Sequence, residues 1–330
     1  AQATAVADAL MAAHAGLVVQ LVFVETLGDQ RTDVPLHTIG GQGVFVKEVQ
    51  RAVLSGAADL AAHSAKDLPS AQAPGLQLAA FCERRDARDA LVGAALHELP
   101  HGATVATGSV RRRAQLGAAR PDLEFVELRG NIHTRLSKLP AGGALVMAVA
   151  ALQILQLTDR IAQPLPVDRF VPSPGQGCVA IECREGDAEV AALVAAVDHP
   201  LTRAAVQLER AFLAELGSGC SLPVAAHAVD DVLTGFLAAP SAHRHVSGSI
   251  TVHGSPAQRM ALAAGEDGLD LVHRILSEAP KHLTKSGGLV CEIGRGRPPL
   301  EAAYPRLPLI WLDTELSEGE VFWLSRSDLA

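Results

Sequence analysis

Gly40-Gly41-Gln42-Gly43-Val44-Phe45-Val46-Lys47-Glu48 opens the stretch on which the fold turns, and Ala58-Asp59-Leu60-Ala61-Ala62-His63-Ser64-Ala65-Lys66-Asp67-Leu68-Pro69-Ser70 closes it. The opening is a glycine-rich turn. Val46, Val49, Val53 and Leu54 then recur at helical spacing, and Gly56 stands where that helix should stop. Leu60-Ala61-Ala62 reads as a short buried strand, and Pro69 keeps the chain from continuing as a regular element. In open α/β sheets, ligands lie beyond the carboxyl ends of strands. His63, Ser64, Lys66 and Asp67 therefore read in one of two ways. They are a solvated strand-to-loop corner, or a site that gathers a carboxylate, a cation and a hydroxyl.

Outward from that stretch, the bulk properties set limits. The 330 residues carry 28 Lys and Arg against 36 Asp and Glu, a formal net charge of −8. That argues against a general nucleic-acid or membrane-surface binder, so an anionic ligand must be held by local clusters. The length favours two or three domains. Cys82, Cys178, Cys183, Cys220 and Cys291 form no CxxC pair and no zinc-like spacing with His, so no metal site is expected. An odd, scattered set fits a reducing compartment, and a cytoplasmic location is expected. No stretch is long and apolar enough to span a membrane, and no signal peptide is visible.

Residues 1–14 read as a helix with Val6, Leu10 and Met11 on one side, ended by Gly16. Residues 17–24 read as a strong strand, and 76–81 form another apolar run. The charged run Cys82-Glu83-Arg84-Arg85-Asp86-Ala87-Arg88-Asp89 reads as a crossover between domains or as an exposed loop. Thr104-Val105-Ala106 is a strand that leads into Thr107-Gly108-Ser109-Val110-Arg111-Arg112-Arg113. A strand, a small-residue turn and a helix start make an anion cradle, and Ser109 can cap the helix. Arginines in a first helical turn oppose the helix dipole, so a bound anion would account for them; a basic solvated face is the alternative. The pattern repeats, with a strand over 123–128 followed by Arg129-Gly130-Asn131-Ile132-His133-Thr134-Arg135. Two such basic corners suit a ligand rich in carboxylates, because guanidinium groups bind carboxylates bidentately.

Residues 144–155 run from strand into helix. Pro164 and Pro166 break the chain, and Val171-Pro172-Ser173-Pro174-Gly175-Gln176-Gly177 forms a tight loop before a strand over 178–183. Helices follow over 187–197 and 200–216. Gly217-Ser218-Gly219-Cys220-Ser221-Leu222-Pro223 then places a thiol between two glycines. Cys220 is either an ordinary buried cysteine or an accessible loop thiol. Strands follow over 222–229, 232–239 and 245–253.

Gly40-Gly41-Gln42-Gly43-Val44-Phe45, His63-Ser64-x-Lys66-Asp67-x-Pro69 and Gly219-Cys220-Ser221-Leu222-Pro223 together resemble the hydroxymethylbilane synthase (porphobilinogen deaminase) family over about residues 1–255. The resemblance implies an α/β protein, with two domains resembling type II periplasmic binding proteins and a smaller α/β third domain. Domain 1 would comprise 1–82 and 176–200, domain 2 would be 83–175, and domain 3, for cofactor attachment, 215–264. It implies a transferase of tetrapyrrole biosynthesis, expected to be monomeric, that condenses four porphobilinogen molecules with loss of ammonia. It also implies a dipyrromethane cofactor held on Cys220 through a thioether. Asp67 is then the expected catalytic group. Lys66, Ser64, Thr107, Ser109, Arg111, Arg112, Arg129 and Arg135 would hold cofactor carboxylates, and Phe45 and Gln176 would line the substrate cleft.

The sequence departs from the family at three places. Gln42 stands where a Lys is usual, and Ile154 where a carboxylate-binding Arg is usual. The family's strand before the first helix, with an Arg and a Ser toward the cofactor, has no counterpart here. The alternatives are therefore a catalytically impaired homologue or a non-enzymatic module for an anionic solute. The tail over 265–330, with Gly287-Gly288-Leu289-Val290-Cys291-Glu292-Ile293-Gly294, resembles the end of a glutamine-N5 methyltransferase. The glycine-rich cofactor loop and Asn-Pro-Pro-Tyr motif of those enzymes do not occur in it.

Overall fold

The computed structural model describes residues 1–24, 46–215, 223–238, 245–252, 272–273, 276–277, 280–281, 288–292, 297–314 and 317–329. Gln42, Phe45 and Cys220 lie outside the described residues.

β1 (Leu60–Ser64) and β2 (Leu76–Phe81) do not pair with each other. β8 (Val179–Arg184) lies between them, antiparallel to both. α1 (Gln2–Ala13) covers one face of this sheet, where Val6 and Leu10 pack with Ala80, Ile181 and Val194. On the other face Val46, Ala65, Leu68, Phe81 and Ala180 pack with Val206 of α7 (Pro200–Glu215). α2 (Lys47–Leu54) is the helix expected from the valine spacing; Val53 is buried, and Leu54 is exposed.

Between β2 and β8 the chain builds a second sheet. It contains β3 (Asp89–Val92), β4 (Thr104–Ala106), β5 (Glu124–Val126), β6 (Ala144–Ala148) and β7 (Ile161–Pro164), in the order β5-β4-β6-β3-β7. β4 runs parallel to β5 and β6, whereas β3 is antiparallel to β6 and β7. Leu116 of α3 (Val110–Ala119) packs on one face with Leu91, Val105 and Val146. Leu136 of α4 (Ile132–Leu136) and Leu152 of α5 (Val149–Ile154) pack on the other with Val92, Ala106 and Leu145. A sheet covered on both faces needs continuous apolar strands instead of alternation, which is how β3 and β6 read.

After α6 (Ala188–Val194) and α7 comes an antiparallel sheet of β9 (Val224–Val229), β10 (Val232–Ala238) and β11 (His245–Thr251). Successive side chains face opposite ways. Val224, Ala226 and Ala228 meet Leu208 and Phe212 of α7, while Ala225 and Phe236 meet Ala114 of α3 and Val171. In the tail, β12 (Gly288–Glu292), α8 (Arg297–Ala303), β13 (Ile310–Thr314) and β14 (Ser317–Ser325) form a fourth unit, with sheet order β12-β14-β13. Its core includes Leu300, Phe322 and Leu324.

Several expectations differ from the structure. Residues 17–24 form no strand: Val18 is 87% and Phe23 92% exposed, and no described strand pairs with the segment. An apolar run becomes a strand only where its backbone groups find a ladder partner. Met11 is exposed, not buried with Leu10. β7 was hidden by Pro164, which is tolerated because β7 is an edge strand and Pro164 ends it. Among the described residues, no helix is long and apolar enough to cross a membrane.

Candidate active site

β1 ends at Ser64, and the chain turns at once through a 3₁₀ turn, Ala65–Asp67. Ala65 and Leu68 point into the apolar core. That leaves Lys66 half-buried and Asp67 exposed. Ser64 Oγ bonds Gln2 of α1, accepting from Nε2 at 2.8 Å and donating to Oε1 at 3.1 Å. A pocket lies between the first two sheets. It is lined by Gln2, Ser64, Lys66 and residues of the 175–179 segment from the first unit, and by Ala148, Ala151 and Ile154 from the second. Ile154 thus makes apolar wall at the position where the family's arginine was expected.

The loop before β8 presses against the turn. Gly175 has φ +72°, and a Cβ there would lie 2.9 Å from the carbonyl carbon of Ala65; Gly177 has φ +87°, and its Cβ would lie 2.7 Å from the Arg85 carbonyl oxygen. Only glycine satisfies both the backbone sign and this approach. Gln176 between them is fully buried. Its Oε1 faces Lys66 Nζ at 3.4 Å, and its Nε2 donates to Ala87 O at 2.7 Å and Asp89 Oδ1 at 2.9 Å.

Asp89 is the centre of the basic cluster. Its Oδ1 accepts from Arg112 Nε at 3.0 Å and Nη2 at 2.7 Å, and its Oδ2 accepts from Arg111 Nη1 at 2.8 Å. Burial alone would raise its pKa, but Arg111 and Arg112 outweigh that and hold the carboxyl well below the usual range. Asp89 thus places one carboxylate of the chain's own at this helix start. Arg111 also donates to Val171 O at 2.9 Å and Arg112 to Val146 O at 3.2 Å. Ser109 caps α3 as expected, its Oγ accepting from Arg112 N. Thr107 is buried, and its Oγ1 accepts from Ser109 N at 3.2 Å.

Arg129 and Arg135 follow β5, with Arg135 Nε donating to Gly130 O at 2.7 Å. Burial lowers the Arg135 pKa, and Arg112 adds to this. Lys66 is pushed down to about 8, mainly by burial; Arg112 and Arg111 lower it further, while Asp67 and Asp89 oppose. Lys66 and Arg135 thus both feel the charges of Arg112 and Asp67, and Glu127 also acts on Arg135. Among the described residues no His, Cys, Asp and Glu cluster could hold a metal ion.

Sequence reasoning missed Asp89 and Gln2. Asp89 had a signal: a carboxylate opening the apolar run Asp89-Ala90-Leu91-Val92 belongs in a buried strand only if it is paired. Gln2 had none, since its partner is 62 residues away.

Two family models match the chain. They are porphobilinogen deaminase, dipyrromethane cofactor binding domain, over residues 1–192, and porphobilinogen deaminase, C-terminal domain, over residues 203–275. The porphobilinogen deaminase of Roseiflexus castenholzii is 50% identical over 227 residues, 67% of this chain and 75% of the relative. That of Geotalea uraniireducens is 40% identical over 286 residues, 84% of this chain and 90% of the relative. Among solved structures, the periplasmic VFT2 domain of Bordetella pertussis BvgS aligns at TM-score 0.33 and 20% identity, over 59% of this chain and 75% of that one.

Proposed function

The chain belongs to the porphobilinogen deaminase family, and from that premise we propose that its cleft works as a hydroxymethylbilane synthase with Asp67 as the catalytic group. The enzyme is a transferase of tetrapyrrole biosynthesis with a dipyrromethane cofactor. It joins four porphobilinogen molecules stepwise and releases ammonia. The observation that carries the site assignment is the exposed Asp67 carboxylate next to Lys66, which borders the pocket and feels the charges of Arg112 and Arg111.

The residues fit the cofactor. Burial, with Arg112 and Arg111, lowers the Lys66 pKa to about 8, and a ligand carboxylate would oppose that fall. Lys66, Ser64, Thr107, Ser109, Arg111, Arg112, Arg129 and Arg135 would hold it, and Cys220 would carry it through a thioether. When bound, dipyrromethane supplies the pyrrole ring from which the product grows. Gln176, with Phe45, would border the substrate. Asp67 accepts the pyrrole N–H of porphobilinogen and stabilises the positive charge that builds on that nitrogen as ammonia leaves. Such stabilisation strengthens where water is excluded. We read the protein as a cytoplasmic monomer that binds neither nucleic acid nor membrane.

Asp67→Asn keeps the size of the side chain and removes its charge. It should lower kcat and kcat/KM together while the cofactor still loads. Intact mass should show a two-pyrrole adduct on the wild type and on Asp67→Asn, and none on Cys220→Ser. Wild-type turnover by Asp67→Asn would rule out the assignment. The tail is read as derived from the end of a glutamine-N5 methyltransferase, without methyl transfer. Calorimetry with S-adenosylmethionine should show no binding heat, and micromolar affinity would refute this.

A further inference from the structure

Behind the turn that carries Lys66 and Asp67, on the side away from Ser64, lies a second buried polar group. His63 and Ser64 are neighbours in β1, so their side chains leave opposite faces of the sheet. His63 Nε2 lies 3.1 Å from Glu182 Oε2 of β8, and the two side chains are 5% and 2% exposed. Gln50 of α2 donates from Nε2 to the other carboxylate oxygen, Glu182 Oε1, at 3.0 Å. Where the Glu182 carboxylate is ionised it only accepts, and the contact is then made by the His63 tautomer that donates from Nε2. Downstream of the turn, Arg210 of α7 donates from Nη2 to the carbonyls of Pro69 and Ser70 at 2.8 and 3.2 Å. Burial lowers the Arg210 pKa, and the Glu182 charge opposes that fall.

A carboxylate in this layer is costly, and well-packed apolar side chains in its place are often neutral or stabilising. What the polar group adds is geometric. β1 and β8 pair with Ala61 opposite Glu182 and His63 opposite Ala180. A slip of one residue would reverse every side chain of β1 and break the His63–Glu182 contact. The contact therefore locks the register two residues before the turn begins, Gln50 ties it to α2, and Arg210 fixes the exit.

We propose that His63 and Glu182 are positioning residues for Asp67, setting the angle at which the turn presents its carboxylate to the cleft. This rests on the assignment of Asp67 as the catalytic group. A displacement of about 1 Å at a reacting group can cost on the order of a hundredfold in rate, so a loosened turn should slow chemistry without weakening substrate binding.

The test uses cofactor-loaded enzyme, with loading checked by intact mass. His63→Leu removes the donor. Its kcat per folded holoenzyme should fall about tenfold or more, with KM for porphobilinogen within about twofold of wild type. His63→Gln, which restores an amide donor near the Nε2 position, should recover most of the rate. Glu182→Gln removes the charge without leaving an unpaired buried carboxylate, and it serves if His63→Leu does not fold; it too should lose kcat and keep KM. A purely structural role would lower the melting temperature and leave kcat per folded molecule unchanged, which overturns the proposal. So does a His63→Gln enzyme as slow as a folded His63→Leu. Asp67→Asn is assayed alongside. If it is slow while Glu182→Gln and a folded His63→Leu turn over at the wild-type rate, only the positioning role fails. If Asp67→Asn is itself fully active, both assignments fail.

Discussion

Lys66 ties the site to pH. Its pKa of about 8 lies below the ordinary 10.5, burial being the main cause. A group depressed in the folded state adds stability above its unfolded pKa and loses it as pH falls through the folded value. The ligand-free fold therefore gains stability between pH about 8 and 10.5, while the cation that would grip a carboxylate is lost over the same range. We expect kcat/KM for porphobilinogen to decline as pH rises past about 8, and Lys66→Arg, charged throughout, to flatten that decline. Identical wild-type and variant profiles from pH 7 to 10 would exclude the role. Lys66 and the arginines were legible in the sequence because they stand in strand-to-helix corners. Their mutual arrangement was not: Asp89, 22 and 23 residues before Arg111 and Arg112, is adjacent only once β3 and α3 are packed.

Among the elements, the loop before β8 and the 3₁₀ turn act as one piece. Gly175→Ala would place a methyl 2.9 Å from Ala65 and 3.1 Å from Lys66 N, at a backbone φ of +72°. The loop or the turn must then move. Overpacking and a left-handed alanine each cost on the order of 1–3 kcal/mol. Thermal melts should show that loss, and steady-state assays a fall in kcat; wild-type values of both would show that the contact is dispensable. Most elements could be located from periodicity, including α1, α2, β2, β4, β9, β10 and β11. The run over 17–24 was misread because apolar composition reports what a segment could bury, whereas strand formation depends on a partner elsewhere in the chain. β5 came out shorter than its apolar pattern for the same reason, as β4, its one partner, spans only Thr104–Ala106.

Across the whole molecule, Glu209 of α7 ties together the crossover at Arg84, the loop before β8 and β9. It takes a bidentate pair from Arg84 at 2.6 and 3.1 Å, Gly175 N at 2.7 Å and Ala228 N at 2.8 Å, and faces His227 Nδ1 at 3.3 Å. Burial would raise its pKa, but Arg84 and His227 outweigh that and hold it below the usual value. Its stabilising effect is thus present above the ordinary carboxylate range and lost in acid. Glu209→Gln leaves Arg84 buried without its counter-charge, and we expect a loss of about 3–5 kcal/mol in urea unfolding. An unchanged midpoint and slope would show that the junction is held by apolar packing alone. The sequence placed α7 but gave no hint that one of its side chains closes on a loop, a crossover and a strand. The order of strands in the first sheet has a further consequence, for how the molecule comes into being. β1 and β2 meet only through β8, and the whole five-stranded sheet is encoded between β2 and β8. On a growing chain the inserted unit has all its strands by residue 164, whereas the half that bears Asp67 lacks its middle strand until residue 184 has been made. The scaffold of the catalytic turn is therefore the later of the two to gain its native pairing, although most of it is synthesised first.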